Sequence, residues 1–356
     1  MSRRGGLDLI VIGAGVVGSA AALGAARQGL SVALVEAQPA QAWQRECPDL
    51  RVYALAADNR VLLQSLGVWP AVAAARAQAY RRMRVWDAAG GGELLFDADA
   101  LGVAELGHIV ENDLLVDRLG AALLQQPTVQ RYCPDSVVGL QQDGTGVQVE
   151  LQSGTRLRAR LLLAADGAAS QTRERLGIGS DRHDYQQRGL VAFVRCEQAH
   201  QDTAWQRFLP TGPLAFLPFT EGRSSIVWTL PEDEAIRLRQ IDEAAFRREL
   251  SRAFDARLGD VLEVGERAAF PLRRQLAERF VEGRVLLLGD AAHAVHPLAG
   301  QGVNIGLRDV SALIAMLARV QSRGGDIAAA HHLQRWARER RSDSAIAAYA
   351  FEGINR

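Results

Sequence analysis

Two histidines, His293 and His296, stand three residues apart in the stretch GDAAHAVHPLAGQGVNIGL (289–307), which allows two different chemistries. Such a pair on a helix can hold a metal ion, whereas glycines before a helix can hold an anion against backbone N–H groups. Pro297 and the neighbouring glycines argue against a continuous helix here, and no further cluster of metal ligands stands nearby in the sequence. We therefore predict no metal site. We expect His293 to be a packed residue that hydrogen-bonds the loop, and His296 to be either an active-site or a structural histidine.

The second half of this stretch predicts a helix that begins behind glycines. We expect a strand over 285–288, a Gly-Asp pair at its end, and a helix from about residue 303 into the 310s. The N–H groups of a helix N-terminus are unpaired and carry about half a positive charge. The glycines at 300 and 302 let a ligand approach those groups closely. This helix start is therefore suited to an anionic ligand.

A second group of glycines lies near the N-terminus, in LDLIVIGAGVVGSAAALGAARQGLSVALVE (7–36). The pattern predicts a strand over 9–12, a GxGxxG turn over 13–18, a helix, and a second strand over 31–35 that ends in Glu36. The three glycines permit a tight turn, the approach of a pyrophosphate and close packing of helix on strand. Glu36 is placed to accept hydrogen bonds from a ribose. The unit predicts dinucleotide binding and leaves open whether the ligand is NAD or FAD.

A third corner has the same character. Residues 161–165 predict a buried strand, Asp166 and Gly167 its turn, and 168–176 a helix. Three predicted strand ends therefore carry glycine with an acid. Because the carboxyl ends of parallel strands meet at one edge of a sheet, we expect one extended ligand across all three. NAD needs only the first corner, whereas a larger dinucleotide uses all of them.

Composition excludes several classes of protein. A chain of 356 residues with 48% apolar residues suits about two domains, and its zero net charge predicts no nucleic-acid partner. Its three cysteines contain no CxxC pair, which is typical of a reducing cytoplasm. The chain has no lysine, so Walker-type phosphate loops, Schiff-base enzymes and pyridoxal enzymes are excluded. Glycines interrupt the uncharged run 9–26, so we predict neither a targeting segment nor a membrane span.

Between the second and third corners the pattern changes to short strands with Gly and Pro turns. These strands are expected at 189–197, 203–210, 213–219 and 223–231, with a hairpin at 81–96 and helices around 242–254. We predict a dinucleotide-binding domain over 1–80, 97–177 and 272–356, and a substrate-binding sheet domain over 81–96 and 178–271. Leu217 and Phe219 share one face of a strand and are candidate substrate contacts, although the pattern does not tell which face points to the ligand. Phe193, Phe216 and Trp228 are candidates for either a pocket wall or core.

The order GxGxxG with a distal acid, then DG, then GD resembles the class A flavoprotein monooxygenases, which have the para-hydroxybenzoate hydroxylase-like fold. Four segments are similar to the ubiquinone-biosynthesis hydroxylase family: RVYALAADNRVLLQSLGVW (51–69), GHIVENDLL (107–115), AFLPF (215–219) and 289–307. The resemblance covers essentially the whole chain. It implies an α/β fold with a Rossmann-like FAD-binding domain of the GR2 type, an inserted mainly antiparallel substrate sheet and C-terminal helices. Family members usually continue beyond AYAFEGINR, so a C-terminal truncation is expected.

The resemblance also implies roles for individual residues. Asp290 would bind the FAD ribityl chain, Arg51 the phosphate or ribityl region, and Asn112 would open a helix that faces the flavin. From the residues alone, Arg51 can equally be an exposed surface arginine, and Asn112 can equally be the N-cap of a helix. The amides of 300–304 would face the pyrimidine edge of the flavin and stabilise its reduced, anionic form. The implied cofactor-binding residues are Gly13, Ala14, Gly15, Val17, Gly18, Glu36, Arg51, Asn112, Asp166, Gly289, Asp290, Gly300, Gln301, Gly302, Val303 and Asn304. The implied catalytic residues on the flavin face are Pro297 and His296.

The implied activity is hydroxylation of the aromatic ring of a polyprenylated phenol in ubiquinone biosynthesis, with FAD, NADPH or NADH, and O2, through a flavin C4a-hydroperoxide. Such a substrate is reached from the membrane surface. We therefore expect a cytoplasmic protein that associates peripherally with the inner membrane and with other ubiquinone-biosynthesis proteins, as a homo-oligomer. Tyr53 and His296 are candidates for the base that accepts the phenol proton.

Three alternatives remain. Flavin-dependent halogenases share the implied fold but use an active-site lysine, which this chain lacks. A hydroxylase of a small soluble phenolic acid would need a buried arginine for the carboxylate. A non-enzymatic Rossmann-like carrier of prenyl groups would be colourless and would leave the glycines at 300 and 302 without a purpose.

Overall fold

The computed structural model of the chain describes residues 6–39, 41–294 and 302–355, which form three β-sheets with helices packed against them. The strands are β1 (Leu7–Ile12), β2 (Val32–Val35), β3 (Val52–Ala56), β4 (Gln78–Tyr80), β5 (Arg82–Asp87), β6 (Glu93–Asp97), β7 (Gly107–Glu111), β8 (Val129–Tyr132), β9 (Val137–Gln142), β10 (Val147–Leu151), β11 (Arg156–Ala164), β12 (Ser180–Cys196), β13 (Thr203–Leu209), β14 (Gly212–Pro218), β15 (Arg223–Pro231), β16 (Val261–Val264), β17 (Ala268–Ala277), β18 (Val281–Glu282), β19 (Val285–Leu287) and β20 (His293–Ala294). The helices are α1 (Val16–Arg27), α2 (Ala57–Ser65), α3 (Trp69–Arg76), α4 (Asn112–Leu124), α5 (Gln171–Arg175), α6 (Glu232–Gln240), α7 (Glu243–Ala253), α8 (Gly302–Ser322) and α9 (Ala330–Asn355).

The first sheet has the order β18-β19-β11-β1-β2-β8, and β9 and β10 extend it beside β11. The pairs β19–β11, β11–β1, β1–β2 and β2–β8 are parallel. Residues 9–11 of β1 are fully buried, as expected for a parallel strand with both faces covered. The predicted Rossmann-like sheet is confirmed, and β1, β11 and β19 present their carboxyl ends at one edge.

Helix α1 packs against this sheet through very small side chains. Residues 20–22 are alanines with no exposed surface, and a Cβ at Gly24 would lie 2.3 Å from Ile314 Cδ1 of α8. The absence of a side chain at Gly24 therefore lets α1 and α8 approach each other closely. This contact joins a helix from the N-terminal part of the chain to one from the C-terminal part.

The second sheet has the order β20-β17-β12-β15-β14-β13-β5-β6, with β16 beside β12. Its pairs are antiparallel except for β13–β5, which confirms a mainly antiparallel second sheet that includes the predicted hairpin. Strand β12 begins earlier than predicted, at Ser180. Strand β17 was not predicted and spans residue 272, the proposed domain boundary. The exact division into domains stays a prediction.

The two faces of the second sheet have different neighbours. Phe216 and Trp228 lie in the apolar cluster beneath α6 and α7, so they are core residues rather than pocket walls. Leu217 and Phe219 lie on the other side, in a cluster with residues of β3 and β7. Strands β3, β7 and β4 form the third sheet, which lies against this second face.

No described helix is long and apolar enough to cross a membrane, a finding that covers residues 6–39, 41–294 and 302–355.

Candidate functional site

The turn after β1 is shaped by two glycines that leave no room for a side chain. Gly13 has a φ of 97°, and a Cβ on it would lie 2.3 Å from the carbonyl oxygen of Ala165. A Cβ on Gly18 would lie 1.9 Å from the carbonyl oxygen of Gly13 and 3.2 Å from the Cβ of Ala165. Gly18 therefore permits the close packing that the pattern predicts, and the first corner touches the second.

Gly15 stands in a different environment. It is the N-cap of α1, and in the described part of the chain a Cβ on it would meet no atom within 4 Å. Open space therefore lies in front of the first turn of α1, where the backbone N–H groups have no helical partner. This cradle fits a pyrophosphate, because amides at a helix start bind anions without a side chain.

Glu36 follows β2 and places its carboxylate against the glycine turn. Its Oε2 accepts a hydrogen bond from the Ala14 N–H at 2.7 Å, and its Oε1 accepts one from the Gln38 N–H at 2.9 Å. The acid thus lies at the sheet edge where ribose recognition is predicted. The ribose contact itself stays a prediction.

At the second corner, Asp166 organises the start of a short helix. Its Oδ1 accepts a hydrogen bond from Ser170 Oγ at 2.6 Å, and its Oδ2 accepts one from the Thr172 N–H at 3.0 Å. Ser170 is the N-cap of α5, and its hydroxyl accepts from the Arg173 N–H. The prediction of a helix from residue 168 was wrong, because these caps start it at residue 171. A contact between Asp166 and a cofactor stays a prediction.

The third corner packs against the first. Gly289 has a φ of 56°, and a Cβ on it would lie 3.1 Å from Val17 Cγ2. A Cβ on Gly306 of α8 would lie 2.6 Å from the same methyl group and 3.2 Å from the Cα of Gly289. Val17 therefore sits against both glycines, and all three corners come together at one edge of the sheet.

A buried ionic network holds this corner from behind. Asp309 of α8 accepts a hydrogen bond from the Gly289 N–H at 3.0 Å, contacts His293 Nε2 at 2.6 Å and accepts from Arg340 Nε of α9 at 2.8 Å. His293 and Asp309 are fully buried. The prediction that His293 is packed is confirmed, but its partner is Asp309 on a helix rather than the loop.

Burial and charge act in opposite directions on this pair. Burial by itself lowers the pKa of His293, but the Asp309 carboxylate outweighs it, so the pKa of His293 is raised. Burial likewise favours protonated Asp309, but His293 and Arg340 together lower the pKa of Asp309. Both shifts favour the charged imidazolium–carboxylate form of the pair.

Arg51, Tyr53 and Asn112 come together beside the third corner. The Arg51 carbonyl accepts a hydrogen bond from the Asn112 N–H at 2.9 Å, and the Tyr53 hydroxyl donates to Asn112 Oδ1 at 3.0 Å. The Arg51 guanidinium is exposed and lies 5.5 Å from the centre of the Tyr53 ring. Asn112 is the first residue of α4 and Glu111 is its N-cap, so Asn112 is not the cap itself. Burial raises the pKa of Tyr53, and nearby carboxylates including Asp290 raise it further.

The Asn304 side chain hydrogen-bonds other segments of the protein. Its Oδ1 accepts from the Ala56 N–H at 2.9 Å and from Asn59 Nδ2 at 2.8 Å, and its Nδ2 donates to the Ala54 carbonyl at 2.8 Å. The side chain therefore ties the first turn of α8 to β3 and α2. The contact between the backbone amide of Asn304 and a flavin stays a prediction.

A small apolar cavity lies on the second face of the second sheet. Its volume is about 70 Å³, and its lining residues are Ala54, Tyr80, Met83, Ala204, Trp205, Gln206, Ala215 and Leu217. Phe219 belongs to the same apolar cluster as Leu217 and packs with its ring centre 4.5 Å from that of Phe193. The structure therefore places Leu217 at a cavity, whereas Phe219 is packed in the core.

Four predicted site residues, His296, Pro297, Gly300 and Gln301, lie outside the described residues. Helix α8 begins at Gly302, one residue before the predicted start, with Val303 in its first turn. In the parts of the chain that the structure covers, no group of three or more His, Cys, Asp or Glu side chains could hold a metal ion.

Comparison with known proteins shows which family the chain belongs to. The family model described as FAD binding domain matches residues 7–346. The chain is 40% identical to 3-demethoxyubiquinol 3-hydroxylase of Escherichia coli (strain K12), over 95% of this chain and 86% of that protein. The chain belongs to the FAD-dependent ubiquinone-biosynthesis hydroxylases. It is also 37% identical to ubiquinone hydroxylase UbiL of Rhodospirillum rubrum, over 95% of this chain and 79% of that one. The human ubiquinone biosynthesis monooxygenase COQ6, mitochondrial, is 32% identical, over 94% of this chain and 81% of that one.

Solved structures show the same fold for this hydroxylase. PqsL of Pseudomonas aeruginosa superposes with a TM-score of 0.81 at 23% identity, over 98% of this chain and 94% of that chain. The p-nitrophenol 4-monooxygenase PnpA of Pseudomonas putida DLL-E4 superposes with a TM-score of 0.75 at 22% identity, over 97% and 88% of the two chains. The family model and the relatives above show that the hydroxylase uses FAD, O2 and a reduced nicotinamide. The cradle at Gly15 with the nearby Glu36 carboxylate fits FAD.

Sequence reasoning missed the residues that support the hydroxylase site from behind. Asp309 lies four residues after Ile305 and four before Leu313, both of which are buried, so it interrupts the apolar stripe of α8. An acid in such a stripe signals a buried partner, and this signal could have been found. The partner Arg340 carries no comparable local signal, because α9 is rich in arginine.

Proposed function

We propose that this hydroxylase inserts one oxygen atom of O2 into the aromatic ring of a prenylated phenol, with NADPH or NADH as electron donor. The observation that carries the proposal is the convergence of three glycine corners, at Gly13, Gly167 and Gly289, on one sheet edge. FAD held by these corners would supply the redox chemistry that passes two electrons from the nicotinamide to O2. The chain itself binds, orients and shields the reactants.

The corner residues divide the work of binding FAD. We assign the pyrophosphate to the backbone amides at Gly15 and the ribose to the Glu36 carboxylate. Asp290 and Arg51 are assigned to the ribityl and phosphate region, because both lie beside the Tyr53–Asn112 pair. The amides in the first turn of α8 are placed to stabilise negative charge on the reduced ring.

The apolar cavity supports a prenylated phenol over a small phenolic acid. None of its lining residues carries a full charge at neutral pH. The buried arginines of the described chain are all engaged: Arg76 with Glu111, Arg173 with backbone carbonyls, Arg274 with Asp181 and Arg340 with Asp309. A carboxylated substrate would therefore find no uncommitted buried guanidinium among these residues.

Tyr53 does not fit the role of base for the phenol proton. Burial raises its pKa, so its hydroxyl is protonated at neutral pH and donates to Asn112. It can hold Asn112 in place but cannot accept a proton under these conditions. The roles of His296 and Pro297 on the flavin face remain predictions.

The test is anaerobic stopped-flow reduction of the FAD-loaded protein by NADPH and by NADH. We expect flavin bleaching to accelerate when a prenylated phenol is present, and oxygenation to yield the hydroxylated ring. Faster bleaching with a small phenolic acid alone would favour the soluble-substrate alternative. A protein that stays colourless after incubation with FAD would favour the prenyl carrier.

We also propose that the enzyme works at the inner-membrane surface as a homo-oligomer, together with other proteins of ubiquinone biosynthesis. The support is the apolar tail of the proposed substrate, together with exposed apolar side chains such as Leu101 and Ile346, which are 63% and 69% exposed. Co-flotation with anionic lipid vesicles tests the membrane association, and the mass measured by light scattering tests the homo-oligomer.

A further inference from the structure

The edge strand of the second sheet is unusually apolar. Leu94, Leu95 and Phe96 follow one another in β6 and are 63%, 55% and 47% exposed. Edge strands of soluble proteins commonly carry charged side chains, which prevent unwanted pairing. Consecutive exposed apolar side chains at an edge therefore indicate a ligand or partner surface.

Strand alternation divides these three residues between two faces. Leu95 pairs with Arg84 of β5, and the Arg84 guanidinium lies 5.1 Å from the centre of the Trp205 ring. Arg84 also pairs with Glu93, so this face of the hairpin is charged. Leu94 and Phe96 point to the opposite face.

On that opposite face, an apolar row crosses the sheet. Phe96 pairs with Met83 of β5, and Met83 pairs with Ala204 of β13. Strands β13 and β14 are antiparallel, and Trp205 pairs with Phe216. One residue back on β13 and one residue forward on β14, Ala204 therefore lies beside Leu217. Met83, Ala204 and Leu217 line the apolar cavity. The exposed Phe96 is therefore the outer end of a row whose inner end is the cavity.

We propose that this row, Phe96–Met83–Ala204–Leu217, is the binding track for the isoprenoid tail of the substrate. The inference rests on the proposed function, since it requires a prenylated phenol. A cavity of about 70 Å³ is much smaller than the ~300–1,000 Å³ clefts that enclose whole ligands. A tail that begins at Leu217 must therefore leave the cavity, and the row leads it over apolar side chains to the edge strand.

The chemistry of the row selects a hydrocarbon. Its four side chains are apolar, and the charged side chains of the hairpin that pair with each other, Arg84 and Glu93, lie on the other face. A linear isoprenoid chain gains free energy in proportion to the apolar surface that it covers on both sides. An anionic or strongly hydrogen-bonding ligand would find no counter-charge or donor from these four side chains.

The test compares Phe96→Ser with Leu95→Ser, a matched control on the same strand with similar exposure and the opposite face. The probes are a phenol with a long isoprenoid tail and the same phenol with a methyl group instead, both in detergent micelles. We divide the KM for the long-tailed phenol by the KM for the methyl phenol. We expect Phe96→Ser to raise this ratio about tenfold, because losing contacts in an apolar pocket weakens binding by at least about that factor. Leu95→Ser should keep the wild-type ratio, and Leu94→Ser should shift it in the same direction as Phe96→Ser.

The outcomes separate this inference from the proposed function. Equal KM ratios for Phe96→Ser, Leu95→Ser and wild type, in variants that bind FAD and melt like wild type, would overturn the track. A lower oligomeric mass of Phe96→Ser with an unchanged KM ratio would also overturn it and would assign the edge to contact between copies. If wild type hydroxylates neither phenol, the proposed function fails first.

Discussion

Asp309 is a carboxylate without access to solvent, and its contacts explain how the Gly289 corner keeps its shape. It holds the Gly289 N–H, the His293 imidazole and the Arg340 guanidinium at the same time. Each contact satisfies a group that would otherwise be buried without a partner, which costs free energy. A single acid thus links the loop that carries Asp290 to α8 and α9.

Replacing Asp309 by Asn should destabilise the protein strongly. His293 and Arg340 would lose their counter-charge while still buried, and removing one partner of a buried ion pair costs about 3–5 kcal/mol. We expect a loss of this size in the free energy of unfolding, measured by urea denaturation of the FAD-loaded protein. Asp58→Asn is the control, because Asp58 pairs with Arg308 of the same helix α8 on the surface, where a pair contributes about 1 kcal/mol or less. Similar losses in both variants would contradict this assignment.

At the scale of elements, two glycines give the two ends of α1 different environments. Among the described residues, no atom lies within 4 Å of a Cβ placed on Gly15 at the start of the helix, whereas a Cβ on Gly24 would meet Ile314 of α8. The same substitution at the two positions should therefore separate ligand binding from packing. Gly15 is the N-cap of α1 and Gly24 lies within it, so both substitutions probe the same helix.

We expect Gly15→Ala to weaken FAD binding at least tenfold, about 1.4 kcal/mol, because the new methyl group enters the cradle in front of the amides. The free energy of unfolding of the FAD-free protein should change little. Gly24→Ala should do the reverse, since its Cβ would lie 2.3 Å from Ile314 Cδ1 and overpacking costs about 1–3 kcal/mol. Flavin fluorescence titration and urea denaturation measure the two quantities. Weaker FAD binding in Gly24→Ala than in Gly15→Ala would argue against the cradle.

For the whole molecule, the His293–Asp309 pair couples stability to pH. The pKa of His293 is raised above 6.5, so its contribution is complete below pH 6.5 and is lost as the pH rises through the folded-state pKa. The pKa of Asp309 is lowered below 3.8, so its contribution is present above pH 3.8 and is lost as the pH falls through the folded-state pKa. The stabilisation therefore has a maximum between these values.

We expect the difference in free energy of unfolding between wild type and Asp309→Asn to be largest between pH 3.8 and 6.5 and to shrink on either side. Denaturation of both proteins across this range, in one buffer series of constant ionic strength, measures the difference. A difference that grows steadily above pH 7 would show that the pair is not charged in the folded protein.

The amino-acid sequence by itself determined the three glycine corners, the start of α8 near residue 303 and most strands of the second sheet. These features depend on local properties: the conformations open to Gly13 and Gly289, and the periodicity of apolar residues. The start of α5 was mispredicted because the Asp166 and Ser170 side chains cap it three residues later.

Only the tertiary structure decided which face of β14 carries Leu217 to the cavity, and that the Asn304 side chain binds β3 and α2. It also decided that Arg340 binds Asp309, which lies 31 residues earlier in the chain and pairs with His293. The physical reason is that alternation along a strand makes both faces equivalent until another sheet covers one of them. Likewise, a buried polar group acquires its role only when a distant segment brings its partner.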